Sequence, residues 1–96
     1  MATVENDVKA GGWRTVFTIW GSGVTVIGVF TRPAGMRIKV RYGVGWFGFN
    51  RQQQTLDGVN PKTLTAGGTT TYLRARFQVR VQSSTRITWE HLVEGP

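Results

Sequence analysis

Hydrophobic and polar residues alternate along several short segments, which is the pattern of a β-strand with one buried face. The longest such segment is TTTYLRARFQVRVQ, residues 69–82. It fills most of the gaps between its apolar residues with Arg and Gln. The apolar residues occupy every second position: Leu73, Ala75, Phe77, Val79 and Val81. MRIKVRY, residues 36–42, alternates in the same way. The pattern predicts two strands, each with an apolar and a cationic side.

Other segments carry a strand signal because they are rich in β-branched and aromatic residues, although the alternation of residues 13–20 is blurred. These segments are residues 13–20, 24–30, 63–65 and 86–93. Alternation within the first puts Trp13 on the side of Phe17 and Ile19, and Trp20 on the other. The glycines of GSG (21–23) predict a tight hairpin after it, and Gly28 predicts a bulge or a close backbone approach.

The glycine-punctuated stretch from residue 43 to residue 58 is ambiguous. It fits one kinked strand or a loop with hydrophobic plugs. A helix over residues 51–56 lacks the length and the 3.6-residue period that a helix needs. The short link before residue 86 allows a second hairpin, between the two C-terminal strands.

Six to eight short strands without a long helix predict an all-β fold. We expect an antiparallel two-sheet β-sandwich, jelly-roll or immunoglobulin-like, or a small barrel. The chain has 96 residues, enough for one domain, which we assign to residues 13–96. Residues 1–12 have no apolar pattern, so they are expected to form a flexible N-terminal arm.

Composition narrows the class of partner. Twelve Lys and Arg against five Asp and Glu give a net charge of +7, which favours acidic or polyanionic partners. There is no cysteine, which excludes disulfides and thiolate metal sites. Because no stretch resembles a membrane span or a signal peptide, we expect neither membrane insertion nor secretion.

The residues that catalysis needs are scarce. His91 is the single histidine and shares a predicted strand face with Ile87, Trp89 and Val93, so it reads as a packed strand residue. The glycine-rich segments lack the following helix and lysine of a phosphate loop. We therefore predict no enzyme, no metal site and no cofactor.

The cationic strand sides and the clustered aromatic rings are the candidate partner-binding residues. If the two alternating strands are neighbours, six cations share one sheet face, and their repulsion calls for an acidic partner. The full candidate set is Arg37, Lys39, Arg41, Trp46, Phe47, Phe49, Arg74, Arg76 and Arg80. Tyr42, Phe77 and Trp89 fall on the apolar side, so nucleic acid is possible but not favoured.

The cysteine-free, Gly- and Thr-rich body and the final segment GGTTTYLRARFQVRVQSSTRITWE resemble the small all-β virion proteins of tailed bacteriophages. The resemblance implies a capsid decoration (cement) protein located in the virion and assembled in the host cytoplasm. Such a protein docks on a repeated lattice, such as a major capsid or tail protein, commonly as a homo-oligomer. Its N-terminal arm would act as a strap across a neighbouring subunit.

Three alternatives stay open. The chain could be a tail-tube or tail-tip component, or a basic binding module for carbohydrate or nucleic acid. A carbohydrate module needs Trp46 or Trp89 exposed as a stacking platform. The plainest alternative is that the cationic sides only keep a small β-domain soluble and protect its edges.

Overall fold

The computed structural model describes residues 1–22, 25–45, 50–67 and 72–94. They form eight strands: β1 (Ala2–Val8), β2 (Arg14–Ser22), β3 (Thr25–Phe30), β4 (Ile38–Gly45), β5 (Asn50–Leu56), β6 (Lys62–Ala66), β7 (Tyr72–Val81) and β8 (Thr85–Glu94). Over these ranges no helix has the length and hydropathy required to cross a bilayer.

The strands form two antiparallel four-stranded sheets. Sheet A has the order β1-β8-β3-β6, and sheet B has the order β2-β7-β4-β5. Of all consecutive strand pairs, only β4 and β5 lie in the same sheet. This order is that of an eight-stranded jelly roll, and it confirms the predicted all-β sandwich.

Neither predicted hairpin forms. β2 pairs with β7, whereas β3 pairs with β6 and β8, so the GSG connection crosses from sheet B to sheet A. β7 and β8 also lie in opposite sheets. A short link fits a hairpin or a crossing equally well. The crossing lets the apolar faces of both strands meet in the core between the sheets.

Aromatic rings fill the centre of the sandwich. Phe30 stacks on Trp89 with ring centroids 4.6 Å apart, and Phe77 lies 5.7 Å and 5.8 Å from these two rings. The predicted apolar sides of β4 and β7 face this centre, where Ile38 and Val40 are fully buried. Strict alternation on both strands thus produces the predicted two-sided arrangement.

Gly28 marks a close approach and not a bulge. The pairing of β3 with both neighbours is continuous through this residue. A Cβ atom at Gly28 would lie 2.9 Å from the Phe30 ring and 3.3 Å from the Phe77 ring. The glycine therefore leaves room for the aromatic core.

The expectation of a flexible arm is wrong for residues 2–8, which form edge strand β1. This strand pairs with β8 from Ala2 opposite His91 to Val8 opposite Thr85. Val8 is buried, and the Trp89 indole N–H donates a hydrogen bond of 2.8 Å to Asn6 Oδ1. The alternation was hidden because a polar residue, Asn6, occupies an inward position.

The ambiguous stretch contributes to two strands. Residues 43–45 complete β4, and residues 50–56 form β5, so the helix over residues 51–56 does not occur. β5 pairs with β4 from Val44 opposite Asn50 to Ile38 opposite Leu56. This pairing makes β5 a strand although it buries only Leu56 among its described side chains.

Candidate binding face

The outer side of sheet B is the most strongly cationic surface of the described fold. β4 and β7 are neighbours, and their register pairs Lys39 with Arg80 and Arg41 with Gln78. The predicted condition for a shared cationic face is therefore met. We call this surface the sheet B face.

Charge is divided unequally between the sheets. The strands of sheet B contain seven cations and no Asp or Glu: Arg14, Lys39, Arg41, Arg51, Arg74, Arg76 and Arg80. The strands of sheet A contain Lys62 and Arg86 together with four acids: Glu5, Asp7, Glu90 and Glu94. Asp57, the fifth acid, follows β5. Most of the excess positive charge therefore belongs to one sheet.

A polar network positions Arg41 on this face. Its Nε and Nη2 atoms donate hydrogen bonds of 2.9 Å and 2.6 Å to Gln78 Oε1. Gln78 Nε2 in turn donates to Thr15 Oγ1 at 3.1 Å. Gln78 is only 8% exposed, so its amide is a well-packed support. A guanidinium held in this way loses less conformational entropy when it binds a partner.

Two tryptophans also lie on the cationic side: Trp20 as the alternation predicts, and Trp13 contrary to it. Trp13 lies against Arg41, with 4.4 Å between the guanidinium carbon and the ring centroid. Trp20 follows the core-packed Ile19 and is 44% exposed. A bulge between Thr15 and Phe17 explains the position of Trp13, because one extra residue breaks the two-residue alternation. Strict alternation from Phe17 puts Trp13 with Phe17 and Ile19, which pack against the core.

One end of the sheet B face contains a depression of about 430 Å³. It is lined by Gly11, Arg37, Lys39, Arg80, Val81 and Gln82. Arg37 directly precedes β4 and contributes to this depression. The depression thus gathers three of the predicted partner-binding cations.

Arg74, Arg76 and three aromatic residues complete the predicted set. Arg76 is half-buried on β7, opposite Gly43. Arg74 occupies a β7 position paired with Trp20 and Gly45, and its side chain is outside the described set. Trp46, Phe47 and Phe49 lie outside the described residues, so the prediction of an aromatic anchor there stays a prediction.

Arg86, a cation of sheet A, differs from the cations of the sheet B face because it is paired with acids. Its Nε atom donates a 3.0 Å hydrogen bond to Asp7, and Glu5 lies 3.7 Å from its Nη1. The hydrogen bond to Asp7 and the attraction of both carboxylates raise the pKa of Arg86. This surface therefore cancels locally much of the charge that it carries.

His91 occupies the packed position that the strand pattern predicted. It is half-buried, with its ring 4.7 Å from that of Phe17 and 5.4 Å from that of Trp89. Throughout the described ranges, no group of three His, Asp or Glu residues could hold a metal ion. Trp89 is 1% exposed and cannot serve as the sugar platform considered above.

Comparisons of the chain with protein-family models, curated proteins and solved structures give no match.

Proposed function

We propose that this chain is a structural and interaction protein that docks through the sheet B face onto an acidic protein surface. The observation that carries the proposal is the segregation of charge, with seven cations and no acid on the strands of sheet B. An acidic partner relieves the repulsion among these cations and gains from long-range attraction. The sheet B face is therefore the docking surface in this account.

The partner that we propose is a repeated lattice of capsid or tail protein in a bacteriophage virion, with this chain as its decoration (cement) protein. The resemblance drawn from the sequence supports this setting. By analogy of fold alone, so does the jelly roll, an architecture that viral capsid proteins use. A subunit that binds only the assembled lattice stabilises it by about 3 kcal/mol at a hundredfold excess over Kd.

Arg41 is the side chain best prepared for this docking. Its planar guanidinium can meet a carboxylate with two hydrogen bonds, and Gln78 fixes its orientation before the partner arrives. Trp13 beside it adds an apolar contact surface of the kind that interface anchors use. Together they make Arg41 the expected centre of the interface.

Co-sedimentation with particles purified from the same source tests the proposal. Arg41→Gln is expected to weaken binding at least tenfold, which is about 1.4 kcal/mol. Arg86→Gln is the matched control, since it removes the same charge from sheet A, and it should bind like the wild type. Equal loss in both variants, or no particle binding by the wild type, would refute lattice docking through this face.

A second candidate function, binding of single-stranded nucleic acid, is favoured by one observation. Trp13 and the exposed Trp20 lie among cations, which is the combination that stacks bases and follows a phosphate backbone. Fluorescence titration with oligothymidylate distinguishes the two functions. Nucleic-acid binding predicts a steep fall of affinity with salt and a loss in Trp20→Ala. Absence of binding at low salt would exclude it.

A further inference from the structure

Three segments of the chain line the depression at the end of the sheet B face. Its floor is the end of β7, one side is the start of β4, and the other side is the linker between β1 and β2. Three of its six lining residues are cations and none is an acid. Its volume of about 430 Å³ is within the usual range of small-ligand sites.

Two hydrogen bonds fix the linker that forms this wall. The Ala10 N–H donates to Ser84 Oγ at 3.1 Å, and Arg80 Nε donates to the Gly11 carbonyl at 3.1 Å. The second bond also orients the guanidinium of Arg80. Contacts within the chain thus position the linker and one of the three cations.

The three charged side chains in the depression are all positive and repel one another. Lys39 and Arg80 are directly paired across β4 and β7, an arrangement in which like charges destabilise a sheet. Arg37 precedes Ile38, which pairs with Leu56, and Asp57 follows Leu56. Asp57 is therefore the acid nearest to Arg37 along this strand pair. No ion pair joins Asp57 to these cations in the described structure. A bound anion would relieve this repulsion.

We infer that this depression binds a phosphate group. Two guanidinium groups and one ammonium group suit a doubly charged oxyanion better than a single carboxylate, since Arg supplies paired donors and Lys a point charge. The group could belong to a free phosphorylated compound or to a nucleic-acid backbone. This site goes beyond the proposed docking function, because it takes a phosphate group whether or not the protein meets a lattice.

Amide NMR titration of the full chain with sodium phosphate tests the inference, with sodium chloride at equal ionic strength as the reference. Phosphate is expected to shift the amides of Gly11, Lys39 and Arg80 saturably, with a Kd of about 1 mM, corresponding to about −4 kcal/mol. Chloride should not reproduce these shifts. Sodium acetate, a carboxylate probe, should bind at least fivefold more weakly.

Three variants locate the site. Lys39→Gln and Arg80→Gln should each weaken phosphate binding at least fivefold. Lys39 makes no hydrogen bond or ion pair with the described residues, so its substitution leaves the fold undisturbed. Arg86→Gln removes the same charge from sheet A and should leave the titration unchanged. Unsaturable shifts, equal shifts with chloride or acetate, or unchanged binding in Lys39→Gln and Arg80→Gln would overturn the inference.

A parallel titration with oligothymidylate separates the two sources of phosphate. Tighter binding of the oligonucleotide at the same amides supports a backbone phosphate, and binding of inorganic phosphate alone supports a free compound. A negative phosphate titration would not count against lattice docking. Docking is tested by the particle binding of Arg41→Gln, and Arg41 does not line the depression.

Discussion

Gln78 holds the guanidinium of Arg41 through its side-chain oxygen, which accepts hydrogen bonds from Nε at 2.9 Å and Nη2 at 2.6 Å. An amide oxygen orients the guanidinium without adding a negative charge. Since the strands of sheet B contain no acid, the outer face combines a fixed geometry with positive charge. These two properties are the reason that we propose this face, rather than the outer side of sheet A, as the docking surface.

Gln78→Glu tests this arrangement directly. The carboxylate keeps the shape of the side chain and still accepts from Arg41, but it cannot donate to Thr15 Oγ1, whose hydroxyl must donate to it instead. The free energy of unfolding should therefore change by no more than about 2 kcal/mol. Binding to acidic particles should nevertheless weaken at least tenfold, because the new charge cancels that of Arg41. Co-sedimentation and urea unfolding of one preparation measure both quantities. Unweakened binding would show that the charge of Arg41 is not used.

Gly28→Ala is expected to destabilise the protein by about 1–3 kcal/mol, the usual effect of overpacking a core. The added Cβ would lie 2.9 Å from the Phe30 ring and 3.3 Å from the Phe77 ring. Gly58→Ala is the control, because a Cβ there meets nothing within 4 Å. Urea unfolding of both variants measures the difference. Equal stability would mean that the aromatic core can shift to accept a methyl group.

Asn6→Ala should cost about 1–3 kcal/mol, because it leaves the indole N–H of the buried Trp89 without its acceptor. Thr3→Ala, an exposed position on the same strand, should have little effect. Removal of residues 1–8 should destabilise the protein still more, since it exposes the edge of β8. Thermal unfolding of these variants provides the measurement. A truncated chain as stable as the wild type would restore the interpretation of residues 1–12 as a flexible arm that the fold does not need.

Gly11→Ala should destabilise the linker by about 1–3 kcal/mol, because Gly11 has a φ of 120°, which side-chain-bearing residues rarely adopt. Gly12→Ala is a close control. Both positions have open space around a new Cβ, but only Gly11 has a positive φ. Chemical denaturation should therefore separate two neighbouring substitutions of the same kind. Identical unfolding midpoints would contradict the described linker geometry.

The sequence was most informative where alternation was strict. Residues 36–42 and 69–82 revealed both faces of β4 and β7, and the buried and exposed sides followed. Strand β1 was missed because its inward positions include Asn6, whose burial depends on the distant Trp89. No local pattern contains that contact, which joins residues far apart in the chain.

The pairing of the strands and the position of Trp13 could not be predicted from local patterns, for two other reasons. A link as short as GSG serves a hairpin or a crossing, so the two-sheet arrangement needed the whole core. The bulge between Thr15 and Phe17 moved Trp13 to the side of Arg41. One inserted residue is enough to reverse a face assignment made by counting in twos.

The most direct test of docking through the sheet B face is a lysine footprint of the protein bound to particles from the same source. Lys39 lies on this face and Lys62 begins β6 of sheet A, and both are exposed. Acetylation rates can be measured by mass spectrometry for the free and the bound protein. We predict that binding slows acetylation of Lys39 at least fivefold and leaves Lys62 unchanged. Protection of Lys62 with full reactivity at Lys39 would contradict the account.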